Sequence, residues 1–108
     1  MTTTIVTAVF TPREGAKDEL IAALREAIPA VHEEQGRELY AIHDAEDGTI
    51  TMLEKWTTRA DLDAHGAGPA VERLGSLIEP FLAAPVQVTK MTPAACRDVA
   101  GRTVAAPC

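Results

Sequence analysis

The chain has 108 residues, with sixteen acids against ten bases and a net charge of −6. That length fits one small domain, and the acidic balance argues against a nucleic-acid partner. No apolar run approaches the ~20 residues that cross a bilayer and Met1 to Thr4 carry no basic leader, so a soluble, cytoplasmic protein is expected.

Thr4 to Phe10 is rich in β-branched residues and reads as a strand with two apolar faces, Ile5/Thr7/Val9 and Val6/Ala8/Phe10, a pattern expected where both faces are covered. Thr11 to Gly15 break it. From Ala16 to about Glu34, Leu20, Ile21, Leu24, Ala27, Ile28 and Val31 recur at spacings of three and four, the stripe of an amphipathic helix. Pro29 falls inside that stripe and lacks the N–H a helix interior needs, so a kink or an end near Ile28 is expected.

Glu38 to His43 and Thr49 to Trp56 alternate as two strands around Asp47-Gly48, a hairpin signal. In the second, Ile50, Met52, Glu54 and Trp56 share a face, which leaves the carboxylate of Glu54 between large apolar side chains. Thr58-Arg59-Ala60-Asp61 is a helix-opening capping box with Asp61 in the usual Glu position, and that helix ends near His65-Gly66. Gly68-Pro69 opens another, striped by Val71, Leu74, Leu77, Ile78 and Phe81 and closed by Pro80 and Pro85. Val86 to Met91 alternates as a last strand. Residues 93–108 show no periodicity and read as a flexible C-terminal tail after a domain spanning 1–92. The tail holds both cysteines, Cys96 and Cys108. Two tail cysteines make neither a disulfide scaffold nor a zinc site, so they read as free thiols or a link across a dimer.

The order β-α-β-β-α-β predicts an α+β, ferredoxin-like four-stranded antiparallel sheet with helices on one face. The other face still carries apolar residues. A second copy packed sheet against sheet covers it economically, so a homodimer through the sheet face is expected.

Several residues point to chemistry. Glu54 and Trp56, two apart on a strand, emerge on one face about 7 Å apart. A carboxylate beside an indole in an apolar pocket has a raised pKa and can act as a base toward a phenol; alternatively Glu54 makes a buried ion pair and Trp56 fills the core. His65, at a helix C-terminus, suits acid–base work or packing. Tyr40 can donate its hydroxyl to a substrate oxygen or plug the sheet. His32 after the Pro29 break is a weaker pocket candidate, and His43 reads as solvated. His32, His43 and His65 lack metal-ligand spacing, so no metal is expected. The acids Glu33-Glu34, Glu46-Asp47 and Asp61/Asp63 read as a solvated face.

Gly36 followed by Tyr40, Leu53-Glu54-Lys55-Trp56, Ala60 to His65 with its histidine nine residues after the tryptophan, and Ala84-Pro85-Val86 resemble the antibiotic biosynthesis monooxygenase family. Quinol monooxygenase-like proteins of the dimeric α+β barrel class are the nearest group, and the resemblance covers residues 4 to 92. It implies a pocket between helices and sheet and an oxidoreductase that oxidises a hydroquinone- or anthrone-like ring with dioxygen, without metal, flavin or other cofactor. Glu54 and His65 become the implied catalytic residues, and Tyr40, Trp56, His32 and Phe81 the substrate-binding ones. An isomerase working by proton transfer in the same pocket, or a non-catalytic dimeric binding protein, are the alternatives. The chain contains no Asn and carries Gly75 where heme-degrading relatives place a ligand histidine, so heme degradation is not expected.

Overall fold

A computed structural model of the chain describes residues 3–97 and 103–104. The elements follow the order β1 (Thr4–Phe10), α1 (Lys17–His32), β2 (Arg37–Asp44), β3 (Ile50–Trp56), α2 (Arg59–Gly66), α3 (Pro69–Ile78), a 3-10 turn (Glu79–Phe81) and β4 (Gln87–Met91). The four strands form one antiparallel sheet in the order β2-β3-β1-β4, the ferredoxin-like arrangement. Beyond it, β5 (Cys96–Arg97) pairs antiparallel with β6 (Thr103–Val104), although the sequence there shows no periodicity. Cys108 and the side chain of Cys96 lie outside the described residues, and the expectation about their thiols lies there with them.

Alternation along the strands sorts side chains between the two faces. Val6, Ala8 and Phe10 of β1, Tyr40 of β2, and Ile50, Met52 and Trp56 of β3 are buried against the helices. The helices contribute Leu20, Leu24, Ala27, Val31, Leu62, Leu74 and Ile78 to the same core. On the opposite face Leu39, Leu53 and Met91 are 43%, 37% and 38% exposed, and Ile5 and Val9 are half-buried. Within one chain, then, β1 is covered on a single side.

The hairpin joining β2 and β3 turns where Asp47-Gly48 predicts. Gly48 takes φ +90°, and the Asp47 carboxylate accepts from both the backbone N–H and the hydroxyl of Thr49. Those bonds hold the Asp47 carboxyl below its usual range. Pro29 does not end α1 at Ile28, contrary to the sequence-based expectation: the helix runs through to His32. The last turn is anchored on both sides of the proline. Ala27 and Val31 are buried, and Arg37 donates to the free carbonyl of His32 at 2.9 Å, so packing and a cap outweigh one missing backbone bond.

Candidate active site

Between α2, α3 and the sheet lies a cavity of about 560 Å³. Its walls are mostly apolar: Val6, Ala8 and Phe10 from β1, Leu74 and Ile78 from α3, and Val88 from β4. Tyr40, Glu54 and His65 reach it together, and each is buried.

Register and capping bring these three groups to one place. Tyr40 stands opposite Glu54 across β2 and β3, Glu54 opposite Val6 across β3 and β1, and Val6 opposite Lys90 across β1 and β4. A single row of the sheet thus presents a phenol, a carboxylate, a small apolar side chain and an ammonium toward the helices. His65 comes from above. The Thr58 hydroxyl accepts the backbone N–H of Asp61 at 3.1 Å and donates to its carboxylate at 2.9 Å, which starts α2 at a defined residue. Leu62 and His65, three apart on that helix, then both point down onto the sheet and are buried.

The three cavity groups are held by specific partners. The Trp56 indole N–H donates to Glu54 Oε1 at 3.0 Å. Glu34, just after α1, lies 2.7 Å from His65 Nδ1 through its Oε1. A carboxylate accepts, so Nδ1 carries the hydrogen and Nε2 remains as the nitrogen able to exchange a proton. The rings of Trp56 and His65 lie 4.7 Å apart at 31°, and Tyr40 meets His65 edge-on at 5.3 Å. Burial pushes the Glu54 carboxyl above its usual range and the Glu34 charge adds to this, against the opposing indole hydrogen bond and the His65 charge. Burial, then the charges of Glu54 and Glu34, raise the Tyr40 phenol well above its ordinary value. Tyr40 therefore stays protonated and can donate, while Glu54 is suited to take a proton.

Not every residue singled out from the sequence reaches the cavity. Trp56 is fully buried and is not among the residues lining the cavity; its indole N–H holds the Glu54 carboxylate. His32 is exposed, with Nε2 3.3 Å from the Tyr40 carbonyl outside the cavity. Phe81 packs against the edge of the core from the 3-10 turn. His43 is exposed, as expected. The solvated-face reading fails for Glu34 and is modified for Asp61 and Asp63. Glu34 is half-buried on His65, Asp61 is bound into the α2 cap, and Asp63 borders the cavity while pairing with Arg59 at 3.0 Å. Sequence reasoning also missed Lys90 on the cavity wall, although alternation from Val86 places it on the helix-facing side with Val88. Among the described residues no cluster of three or more His, Cys, Asp or Glu has metal-binding geometry. No helix among them is long and apolar enough to cross a membrane.

A four-stranded antiparallel sheet with helices on one face and a buried carboxylate, phenol and imidazole beside an apolar cavity defines a ferredoxin-like α+β domain, and comparison with known proteins gives its family. Residues 3–74 match the family described as antibiotic biosynthesis monooxygenase, and the chain belongs to it. It is 30% identical over 89 residues to Rv0793 of Mycobacterium tuberculosis, a protein provisionally named a monooxygenase; the match spans 82% of this chain and 88% of that one. The solved structure of Rv0793 superposes with a TM-score of 0.78 over 85% of this chain and 95% of the other. The protein SO0527 of Shewanella oneidensis is 26% identical with a TM-score of 0.76, covering 84% and 90% of the two chains.

Proposed function

We propose that the protein is a monooxygenase that oxidises a small electron-rich aromatic, a hydroquinone- or anthrone-like ring, with dioxygen, using its own side chains as the only catalytic groups. The observation that carries this reading is the placement of Glu54, a buried carboxylate of raised pKa on the wall of an apolar cavity, in a chain of the monooxygenase family.

In this mechanism Glu54 takes the hydroxyl proton of the bound ring, or the enolisable C–H proton of an anthrone. The resulting anion is a far better electron donor than the neutral ring. It passes one electron to dioxygen, the radical pair combines into a C–O bond, and Glu54 returns its proton to the peroxide. Loss of water, in which the ring carbon gives up its hydrogen and the O–O bond breaks, leaves a new carbonyl. The substrate supplies every electron: one oxygen atom enters the product and the other leaves as water. Tyr40 donates to the developing anion, and His65, held through Nδ1 by Glu34, relays protons through Nε2.

The working unit in this reading is a homodimer in which a second copy covers the open sheet face of Ile5, Val9, Leu39, Leu53 and Met91. An apolar face left uncovered on a soluble chain supports it.

The test follows oxygen uptake by purified protein with a panel of hydroquinones and anthrones, beside Glu54→Gln. Uptake of one dioxygen per quinone formed, without hydrogen peroxide, is expected for the wild type. Uptake no faster than the Glu54→Gln background across the panel overturns the oxygenase reading. Conversion of these substrates without dioxygen reassigns the pocket to proton-transfer chemistry.

A further inference from the structure

Besides the Tyr40 phenol, four titratable side chains border the cavity: Glu54, Asp63, His65 and Lys90. Three have partners. Glu54 accepts from Trp56, Asp63 from Arg59, and His65 holds Glu34. Lys90 has no carboxylate partner among the described residues. It is the one cation on the cavity wall whose charge no described group answers.

Its position relative to Glu54 is set by the sheet. Glu54, Val6 and Lys90 are successive members of one row on β3, β1 and β4, with side chains on the same face. Neighbouring strands lie about 4.8 Å apart, so the two charged positions are separated by two strand spacings, roughly 10 Å. Between them the floor is Val6, and above it stand the apolar side chains of α3. That span matches the length of a fused-ring aromatic. Glu54 lies at the buried end of the row, whereas Lys90, on the edge strand β4, is exposed at the other.

We propose that Lys90 is a specificity-determining residue that selects aromatic substrates carrying an anionic group, a carboxylate or its equivalent, at the end of the ring system opposite the oxidised position. This assignment rests on the oxygenase reading for the words substrate and oxidised, and on the cavity alone for the binding preference. The substrate lies along the row with its acidic C–H or O–H at Glu54 and its anion at the mouth beside Lys90. An ammonium at a half-open site holds such a group while the rings displace water from the apolar walls.

Lys90 also sits where edge strands carry lysines that discourage pairing with other sheets, and the test separates the two roles. The probes are anthraquinone-2-carboxylate and the uncharged anthraquinone-2-carboxamide, already oxidised and unable to turn over, with binding followed by calorimetry on the full chain. The carboxylate is expected to bind at least about tenfold more tightly than the carboxamide, a preference that weakens as salt rises. Lys90→Met is expected to abolish that preference with the carboxamide affinity unchanged, and Lys90→Arg to keep it. Equal affinity for the two probes in the wild type, or an intact preference in Lys90→Met, overturns the assignment. A Lys90→Met chain that self-associates with its ligand preference unchanged assigns the lysine to edge protection instead. Failure of the oxygenase reading shows separately, as absent oxygen uptake with the carboxylate preference still present. Binding of neither probe removes the cavity as an aromatic site and this inference with it.

Discussion

Trp56 donates its indole N–H to Glu54 from two positions further along the same strand, at 3.0 Å, and both side chains are buried. A regular strand places such neighbours on one face, so the bond needs no special backbone geometry. It gives the carboxylate one fixed donor and leaves its remaining acceptor capacity for the cavity. The bond opposes the effect of burial without cancelling it, and the Glu54 carboxyl stays above its ordinary value of 4.5.

Glu54→Gln is expected to lower kcat by about 10²- to 10⁴-fold, the usual contribution of a positioned base, while the fold survives because the amide oxygen still accepts from Trp56. Stability should move the other way. The folded state holds the Glu54 proton more tightly than the unfolded chain does, so ionising this group costs stability. That cost is absent below the unfolded pKa, grows as pH rises from about 4.5 toward the higher folded pKa, and is constant above it. Thermal melts across this window check it: Glu54→Gln should gain stability relative to the wild type as pH rises and then hold the gain.

Trp56→Phe removes the donor and leaves a smaller ring in a fully buried site. A destabilisation of about 1–3 kcal/mol is expected from the lost bond and the void. Its diagnostic effect is on the pH profile. Without the indole N–H, the Glu54 pKa rises further, so the acidic limb of kcat/KM shifts to higher pH while the alkaline plateau changes less. A tryptophan that only filled the core would lower stability and leave the limb in place.

Much of this arrangement is legible along the chain because it depends on short-range periodicity. The alternation of Ile50, Met52, Glu54 and Trp56, the capping box at Thr58 and the turn at Asp47-Gly48 each lie within a window of ten residues or fewer, and the order of elements follows from adding such local signals along the chain. Glu34 is different. Its role depends on meeting His65, thirty-one positions away, and nothing local distinguishes it from its exposed neighbour Glu33. The run through Pro29 is hidden for another reason: the cap on His32 comes from Arg37, only five positions on but in β2, and no periodicity within the helix signals it. Trp56 is a case of correct face and greater depth than expected: alternation puts it beside Glu54, but it is fully buried against the His65 ring of α2 and does not line the cavity.

The His65–Glu34 contact joins α2 to the end of α1, so it bears on stability as well as proton transfer. A double-mutant cycle with Glu34→Ala and His65→Ala is expected to give a coupling of about 0.5–3 kcal/mol. Ring nitrogen shifts in NMR should show Nδ1 protonated in the wild type, with the tautomer mixture broadening in Glu34→Ala. Additive effects of the two substitutions would show that the contact carries no energy of its own.

Gly36 precedes β2 with φ +79°, and a Cβ there would meet the Asp61 side chain, whose own Cβ is 2.6 Å away. Asp61 is fixed in the α2 cap, so it cannot swing clear without loosening the helix that carries His65. Gly48 has a similar positive φ, +90°, with open space around it. Gly48→Ala is therefore expected to cost about 1 kcal/mol of backbone strain. Gly36→Ala should cost at least about twice that and also raise KM through His65, measured by denaturant unfolding and steady-state kinetics. Equal costs at the two glycines would show that the Asp61 contact relaxes freely.

Leu53 stands at the centre of the open face, opposite Thr7 on β1 and Ala41 on β2, and it is 37% exposed. In the proposed dimer this position is buried against the second copy, so a charge there is desolvated without a partner. Leu53→Glu is expected to raise the dimer dissociation constant by at least about tenfold, or 1.4 kcal/mol, and to shift the mass seen by sedimentation from two chains toward one. Because Leu53 points away from the helices, the cavity should stay intact, and any loss of oxygen uptake measured at high protein concentration should recover as the dimer re-forms. A wild-type chain that sediments as a monomer at micromolar concentration would overturn the assembly and leave the apolar face to another partner.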